Sequence, residues 1–318
     1  KFNALGRLFW IYKNQEKFKE AFGMLTKQIG LIENINKNDN YYQMLKISYN
    51  SNLAQLKFDF GFEKEAINIL KNVINNFSLI SFDESDITKN YTLNIHKISS
   101  YNVLGDFYFR LNSKENNILY LDSTSIYYNK AYQLVKELKP THSNSKLLYN
   151  IRMAKVKIKR EEYDSALKLV SINAKKDINS EQDIYFLKST IFKKLGMIDS
   201  SIHYAKKFLI YKKIAPSTEK NKIIIYNNLS DLYDSKNIID SAYKYSLLAR
   251  KKLGKIYKNK NEAYNNKLLV LEGRLRKINV SNLNEEQPER NQLIIVGFYI
   301  LVIILLFYFF NKHYKNSK

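Results

Sequence analysis

The eight residues Tyr101-Asn-Val-Leu-Gly-Asp-Phe-Tyr108 decide the fold of this 318-residue chain. They place an aromatic residue, a leucine, a small residue and a second aromatic residue where one face of a helix would carry them. Residues Tyr226-Asn-Asn-Leu-Ser-Asp-Leu-Tyr233 repeat the pattern, with serine at the small position. A small residue within an apolar helix face indicates that a second helix packs closely against it.

The second helices also recur along the chain. A small residue stands near the start of the second helix of each expected pair. These residues are Ala21, Ala66, Thr124, Ala166, Ser201 and Ala242. The intervals are 45, 58, 42, 35 and 41 residues, whereas an uninterrupted array of such helix pairs repeats every ~34 residues. We therefore expect insertions, among them Asn112–Asn117 and Ile214–Lys222. The pattern predicts six helix pairs within residues 1–257.

Both eight-residue stretches resemble the first helix of the tetratricopeptide repeat, W-x2-L-G-x2-Y, with tyrosine replacing tryptophan. This resemblance implies an all-α fold in which residues 1–257 form a right-handed α-solenoid. Each pair of such a solenoid buries its apolar face against its neighbours. The alternative is an unrelated helical bundle in which the alanine spacing is coincidental.

Residues Leu293 to Phe310 form an uncharged, apolar run near the end of the chain. At ~1.5 Å per residue the run is long enough to cross most of a hydrocarbon core of ~30 Å, so it predicts a single transmembrane helix. A buried core helix is the alternative. Three lysines follow the run within residues 311–318, and acidic residues precede it at 285–289. The positive-inside rule then places the basic tail 311–318 in the cytoplasm and the repeats outside, in the periplasm.

A connector of residues 258–279 precedes a polar linker, residues 280–292, that contains Pro288. Apolar residues step through the connector at intervals of three, four and seven, as in a heptad seam: Tyr257, Tyr264, Leu268, Leu271, Leu275 and Ile278. The seam fits a short coiled coil that makes a homodimer. It fits equally an amphipathic helix that covers the last repeat.

The order of these segments resembles that of bacterial membrane-anchored tetratricopeptide sensors: repeats come first, followed by the connector, the span and the basic tail. In that family the span leads to a cytoplasmic output domain, whereas eight residues follow the span here. Either the chain is truncated and its output domain is missing, or its role is limited to sensing, docking or scaffolding in signal transduction. Residue 1 is Lys rather than Met; a removed signal peptide would explain this, and so would an arbitrary start of the sequence. The alternative is a cytoplasmic adaptor anchored by its tail.

Composition excludes several classes of chemistry. The chain contains no cysteine, so thiolate metal sites and thiol nucleophiles are excluded. Its four histidines are scattered, and it has no phosphate-binding glycine loop, metalloprotease motif or serine-hydrolase motif. We predict that the protein is not an enzyme and needs no metal or cofactor.

The polar positions of the first helices predict the binding surface of the solenoid. The candidate groove residues are Asn102, Asp106, Arg110, Lys155, Lys159, Lys193, Lys194, Asn227, Asp231 and Asp234. Their lysines favour an acidic protein or peptide ligand, and the alternative is an ordinary solvated lysine surface. The net charge of +22 raises nucleic acid as another partner. Because lysine is spread over nearly all the predicted helices, we expect no nucleic-acid binding.

Overall fold

A computed structural model describes residues 1–33, 35–36, 39–138, 145–171, 178–211 and 219–263. These residues form twelve α-helices and one short 3-10 helix, and no strand occurs among them. The α-helices are α1 (Phe2–Asn14), α2 (Phe18–Ile32), α3 (Asn40–Asp59), α4 (Glu63–Asn76), α5 (Ile87–Glu115), α6 (Ile118–Glu137), α7 (Ser145–Lys159), α8 (Tyr163–Ser171), α9 (Ile178–Lys194), α10 (Ile198–Ile210), α11 (Glu219–Asp234) and α12 (Ile239–Ala263). The expected all-α fold is confirmed, and the helices pack in six consecutive pairs as in a helical-repeat solenoid.

The turn inside each pair has one residue in the left-handed region of backbone space. These residues are Glu16, Gly61, Asn116, Glu161, Gly196 and Asn237. In five turns the following residue donates its N–H to the carbonyl five positions earlier, for example Lys17 to Tyr12 and Met197 to Phe192. This is the hydrogen bond of a Schellman ending, which satisfies a helix carbonyl that would otherwise lack a partner.

The third pair departs from the other five because of the insertion expected at Asn112–Asn117. Its first helix, α5, is 29 residues long and runs to Glu115. Its turn closes instead with the N–H of Asn116 bonded to the Asn112 carbonyl at 2.8 Å. The insertion therefore lengthens α5 and leaves the pair intact. The other expected insertion is Ile214–Lys222. Its residues 214–218 lie outside the described residues, and its last four residues begin α11.

Small residues allow the two helices of a pair to approach each other closely. In the fifth pair Ser189 Oγ donates to the Ser201 carbonyl at 3.1 Å, and in the sixth Ser230 Oγ donates to the Ala242 carbonyl at 2.9 Å. Alanines occupy the corresponding positions of the second and fourth pairs, where Ala54, Ala66, Ala154 and Ala166 are fully buried. The small residues quoted from the sequence thus lie where the helices meet.

The core is built from one pair and the first helix of the next. One cluster joins Phe58 of α3 and Leu70 of α4 to Leu104 and Phe107 of α5. A second cluster joins α7 and α8 to Leu187 and Ile191 of α9 in the same way. Each pair therefore buries its apolar surface against its neighbour, as in a helical solenoid.

Stacked aromatic rings recur in three of the pairs. Two aromatic residues of the first helix flank one tyrosine of the second, and the closer ring centroids are 5.5–5.7 Å apart. The three sets are Tyr101, Tyr108 and Tyr127; Tyr185, Phe192 and Tyr204; and Tyr226, Tyr233 and Tyr245. Packing within the pair therefore accounts for these tyrosines.

The last described helix returns to the start of the chain. Helix α12 packs against α2, and the side-chain amide of Asn259 donates to the Glu16 carbonyl at 3.0 Å. The ammonium of Lys260 also lies 5.8 Å from the ring centroids of Phe18 and Phe60. The array therefore closes on itself, which the repeat pattern did not predict.

Within the described part of the chain, no helix is both long enough and apolar enough to span a bilayer. The expected transmembrane run Leu293–Phe310, the linker 280–292 and the tail 311–318 lie outside those residues. Helix α12 extends past the predicted solenoid boundary at residue 257 as far as Ala263. The remainder of the predicted connector, residues 264–279, also lies outside.

Candidate functional site

The first helices of all six pairs surround one cavity of about 610 Å³. Every odd-numbered helix contributes side chains to its wall, so it follows the inner face of the array. We call this space the central cavity. Its charged lining residues are Lys13, Glu16, Asp59, Asp106, Arg110, Lys155, Lys159 and Lys220.

Most of the remaining wall is apolar or aromatic. These lining residues include Trp10, Val103, Phe107, Phe109, Ile158, Phe186, Leu187 and Ile224. Apolar walls limit the water around a charged group, so ionic contacts inside the cavity are less screened than those at an open surface. The cavity therefore combines apolar surface with an excess of cations, five against three carboxylates.

A buried carboxylate, Asp59, holds the cations at one end of the cavity. Its side chain is 3% exposed and lies 3.3 Å from Lys13 Nζ, 2.7 Å from Arg110 Nη2 and 3.5 Å from Lys220 Nζ. Burial alone would raise the pKa of Asp59. The charges of Lys13, Arg110, Lys220 and Lys260 outweigh burial and hold that pKa well below its usual value. Asp59 is therefore ionised and serves as the centre of an ionic cluster.

A second buried carboxylate, Glu16, lies beside Asp59 in the turn after α1. Its Oε1 is 3.4 Å from Lys220 Nζ, whereas its Oε2 has no hydrogen-bond partner among the described residues. Burial raises the pKa of Glu16 above its usual value, and the attraction of Lys220 opposes this only in part. We refer to Glu16, Asp59 and their four cations, Lys13, Arg110, Lys220 and Lys260, as the closure cluster.

Helices α11 and α12 supply the two members of the closure cluster that are farthest in sequence from Asp59, namely Lys220 and Lys260. Lys220 lies in the first turn of α11 and contacts the Asp59 carboxylate, and Lys260 in α12 donates to the backbone carbonyl of Asp59. Burial lowers the pKa of Lys260, and the nearby charge of Lys220 adds to this effect. The two buried carboxylates thus tie the end of the array to its beginning.

Two cations of the central cavity stay outside the closure cluster. Lys155 and Lys159 are one turn apart on α7, so they share a face of that helix. Neither has a hydrogen bond or an ion pair with another described residue. Lys155 is half-buried and Lys159 is exposed. These two ammonium groups are therefore available to a ligand.

The structure brings four of the ten predicted groove residues together at the central cavity. They are Asp106, Arg110, Lys155 and Lys159. Asp106 accepts a hydrogen bond from the Tyr128 hydroxyl at 2.6 Å, and Arg110 belongs to the closure cluster while its guanidinium lies 4.4 Å from the Phe58 ring centroid.

The other six predicted residues do not line the cavity. Lys193 lies 2.5 Å from Asp231 Oδ2 and 2.9 Å from Asn228 Oδ1, so α9 and α11 pair these side chains with each other. Asn102 is half-buried in α5. Lys194, Asn227 and Asp234 are exposed. A binding role for the ten residues remains a prediction.

Sequence reasoning missed Lys13, Glu16, Asp59, Lys220 and Lys260. Lys220 contacts Asp59 across 161 residues, and Lys260 contacts it across 201. No local motif marks contacts that arise only when the whole array closes. One signal was present in the repeat pattern, because Asp59 lies in the last turn of a first helix, near the polar positions chosen in other repeats.

Among the described residues, no group of three or more histidine, aspartate or glutamate side chains is arranged to hold a metal ion. The two neighbouring carboxylates of the cavity, Glu16 and Asp59, already face lysine and arginine side chains. The geometry of the cavity therefore fits an organic anion better than a cation.

Comparison with known proteins gives no assignment of family. No family model matches the chain, and no curated protein matches it. One solved structure with a similar fold is the crystal structure of BtubC (BKLC) from P. vanneervenii, with a TM-score of 0.47 and 11% sequence identity. The similarity covers 76% of this chain and 92% of that chain. We therefore infer function from the central cavity.

Proposed function

We propose that this protein is a tetratricopeptide-type interaction module that binds an acidic segment of a partner protein in its central cavity. The observation that carries the proposal is the pair Lys155 and Lys159. Both ammonium groups line a concave, largely apolar cavity, and neither is neutralised by another described residue. In the same cavity Lys13, Arg110 and Lys220 are already paired with carboxylates.

The chemistry of the wall narrows the class of ligand. Charge-assisted hydrogen bonds from the two lysines favour carboxylate side chains. Phe109, Ile158 and Phe186 offer apolar surface nearby, so a segment with leucine or phenylalanine beside its acidic residues would gain from both. Helical-repeat arrays use their inner face as an extended binding surface, which suits a peptide better than a compact metabolite.

A labelled peptide tests this proposal directly. The probe is a fluorescent decapeptide of alternating glutamate and leucine, and binding to the full chain is followed by fluorescence anisotropy. Replacing Lys155 and Lys159 by glutamine should weaken binding by about tenfold. The matched control replaces Lys64 and Lys168, which are exposed lysines outside the cavity wall.

The control removes the same net charge, so it should change the affinity by less than about twofold. Equal losses in both double variants would mean that the peptide responds to overall charge alone. Unchanged binding in the Lys155/Lys159 variant would likewise overturn the proposal.

We further propose that the module is anchored to a membrane by Leu293–Phe310, with the repeats outside the cytoplasm, where it serves in signalling or as a scaffold. The support is the uncharged run and the lysines that follow it. Reporters active on one side of the membrane, fused at Lys318 and inserted at Asn116, test this orientation. The reverse result, with the reporter at Asn116 in the cytoplasm and the reporter at Lys318 on the other side of the membrane, would favour a tail-anchored adaptor instead.

A further inference from the structure

The outer face of α12 carries an apolar stripe that no described residue covers. Its side chains are large and well exposed: Ile239 61%, Tyr243 69%, Leu247 51%, Leu253 41% and Tyr257 61%. At 3.6 residues per turn these positions fall on one side of the helix. The side of the helix that adjoins this stripe packs into the array through Ala242, Ala249 and Ile256, which are buried.

A row of cations runs along one edge of this stripe. Lys244, Lys251, Lys255 and Lys258 are exposed there, and Arg250 stands within the stripe itself. None of the five has an ion pair or a hydrogen bond with another described residue. The acids of α12 are Asp240 in its first turn and Glu262 in its last, so the middle of the helix is purely basic.

Basic side chains beside exposed tyrosine and leucine match the surface of a bilayer that contains anionic lipids. Lysine and arginine are attracted to negatively charged headgroups. Tyrosine and leucine enter the boundary between headgroups and acyl chains, and long basic side chains keep their charge in water. A single small ligand would not span a stripe that follows nearly the whole of a 25-residue helix.

We propose that α12 docks by this outer face on an anionic phospholipid surface and holds the solenoid flat against it. Charge complementarity selects the bilayer over a second copy of the chain, because two such faces would bring ten unpaired cations together. The proposal does not depend on what occupies the central cavity. It also does not depend on which side of the membrane the repeats occupy.

The absence of cysteine makes a site-specific test straightforward. Tyr257→Cys is labelled with an environment-sensitive fluorophore in the full chain, which is then reconstituted in neutral phosphatidylcholine vesicles or in vesicles with about 30 mol% phosphatidylglycerol. A lipid-borne quencher reports contact with the bilayer. Quenching should be about threefold stronger in the anionic vesicles and should fall toward the neutral level in about 0.5 M salt.

Two further variants identify the side chains responsible. Replacing Lys251, Lys255 and Lys258 by glutamine should abolish the difference between the two kinds of vesicle. The control replaces three exposed lysines elsewhere, Lys64, Lys168 and Lys194, and should keep that difference. Circular dichroism checks that every variant retains its helical content.

Three outcomes would overturn the proposal. Equal quenching in neutral and anionic vesicles would show that the apolar run alone holds the chain at the membrane. A fluorophore shielded in detergent in a concentration-dependent way would show that a second copy covers the face. Shielding at every dilution would show that the chain covers the face itself.

Discussion

At Gly105 the two helices of the third pair approach so closely that no side chain fits between them. A Cβ atom built there would lie 2.6 Å from Cδ1 and Cε1 of the Tyr128 ring. The ring cannot move away easily, because it is 1% exposed and its hydroxyl donates to Asp106. Helices α5 and α6 can therefore pack at this distance only because residue 105 is glycine, which has no Cβ atom.

We predict that Gly105→Ala destabilises the protein even though alanine is the better helix former. Overpacking costs about 1–3 kcal/mol, and the gain in helix propensity returns up to about 1 kcal/mol. The net loss in the free energy of unfolding should be about 1–2 kcal/mol, measured by urea titration. Gly23→Ala in α2 is the control, because no atom lies within 4 Å of its added Cβ.

The control should stabilise the protein by about 0.5–1 kcal/mol. Opposite signs for these two substitutions would establish close packing at Gly105. A gain in stability for both would contradict it.

A single histidine, His96, should account for part of the loss of protein stability at acidic pH. Burial lowers the pKa of His96 from 6.5 to about 4. As the pH falls below 6.5, the unfolded chain binds a proton at this site that the folded chain excludes until about pH 4. The protein should therefore lose about 3 kcal/mol of stability across that interval and no more below it. His96→Phe should remove this share of the loss in urea titrations, and parallel curves for the two proteins would contradict the assignment.

The element that recurs most regularly is the turn between paired helices. Five of the six turns share one left-handed residue and one Schellman hydrogen bond, whether that residue is glycine, glutamate or asparagine. Only glycine adopts this conformation without steric cost. The turn geometry therefore follows from the packing of the helix pair. The residue at the left-handed position changes the stability of the turn but not its geometry.

Substitutions in two turns should therefore have opposite effects. Gly196 has φ +73 and no atom within 4 Å of an added Cβ, so Gly196→Ala should cost about 1 kcal/mol through the backbone alone. Glu161 has φ 63, and Glu161→Gly should gain a few tenths of a kcal/mol because it relieves the same strain. Urea titration measures both. A loss of stability in both variants would show that the turns are not equivalent.

The helix pairs were predictable from the sequence, and their closure was not. Leu104 and Leu229 mark buried faces, and small residues such as Ser201 and Ala66 mark close approaches, since each follows from contacts local to one pair. Lys155 and Lys159 could be placed on the inner face by the same periodicity. The closure cluster depends on the sum of small rotations over all six pairs, which no single repeat encodes.

At the scale of the whole molecule, the closure cluster opposes the tendency of a basic chain to open. A net charge of +22 favours expanded arrangements. Asp59 and Glu16 gather four cations from α1, α5, α11 and α12 around two buried carboxylates. Because the pKa of Asp59 is lowered, its contribution to stability is present above its ordinary value of 3.8 and is lost only as the pH falls below it.

Asp59→Asn should therefore loosen the junction between the ends of the array. Removing one partner of a buried ionic cluster leaves uncompensated charge, and the free energy of unfolding should fall by about 3–5 kcal/mol. Amide hydrogen exchange in α12 should become faster than in α7, which takes no part in the closure. Asp199→Asn is the control, because its pair with Lys236 is exposed and should contribute no more than about 1 kcal/mol. If Asp59→Asn were as mild as this control, or if α12 exchanged at its original rate, the packing of α12 against α2 would have to hold the array closed without the buried carboxylates.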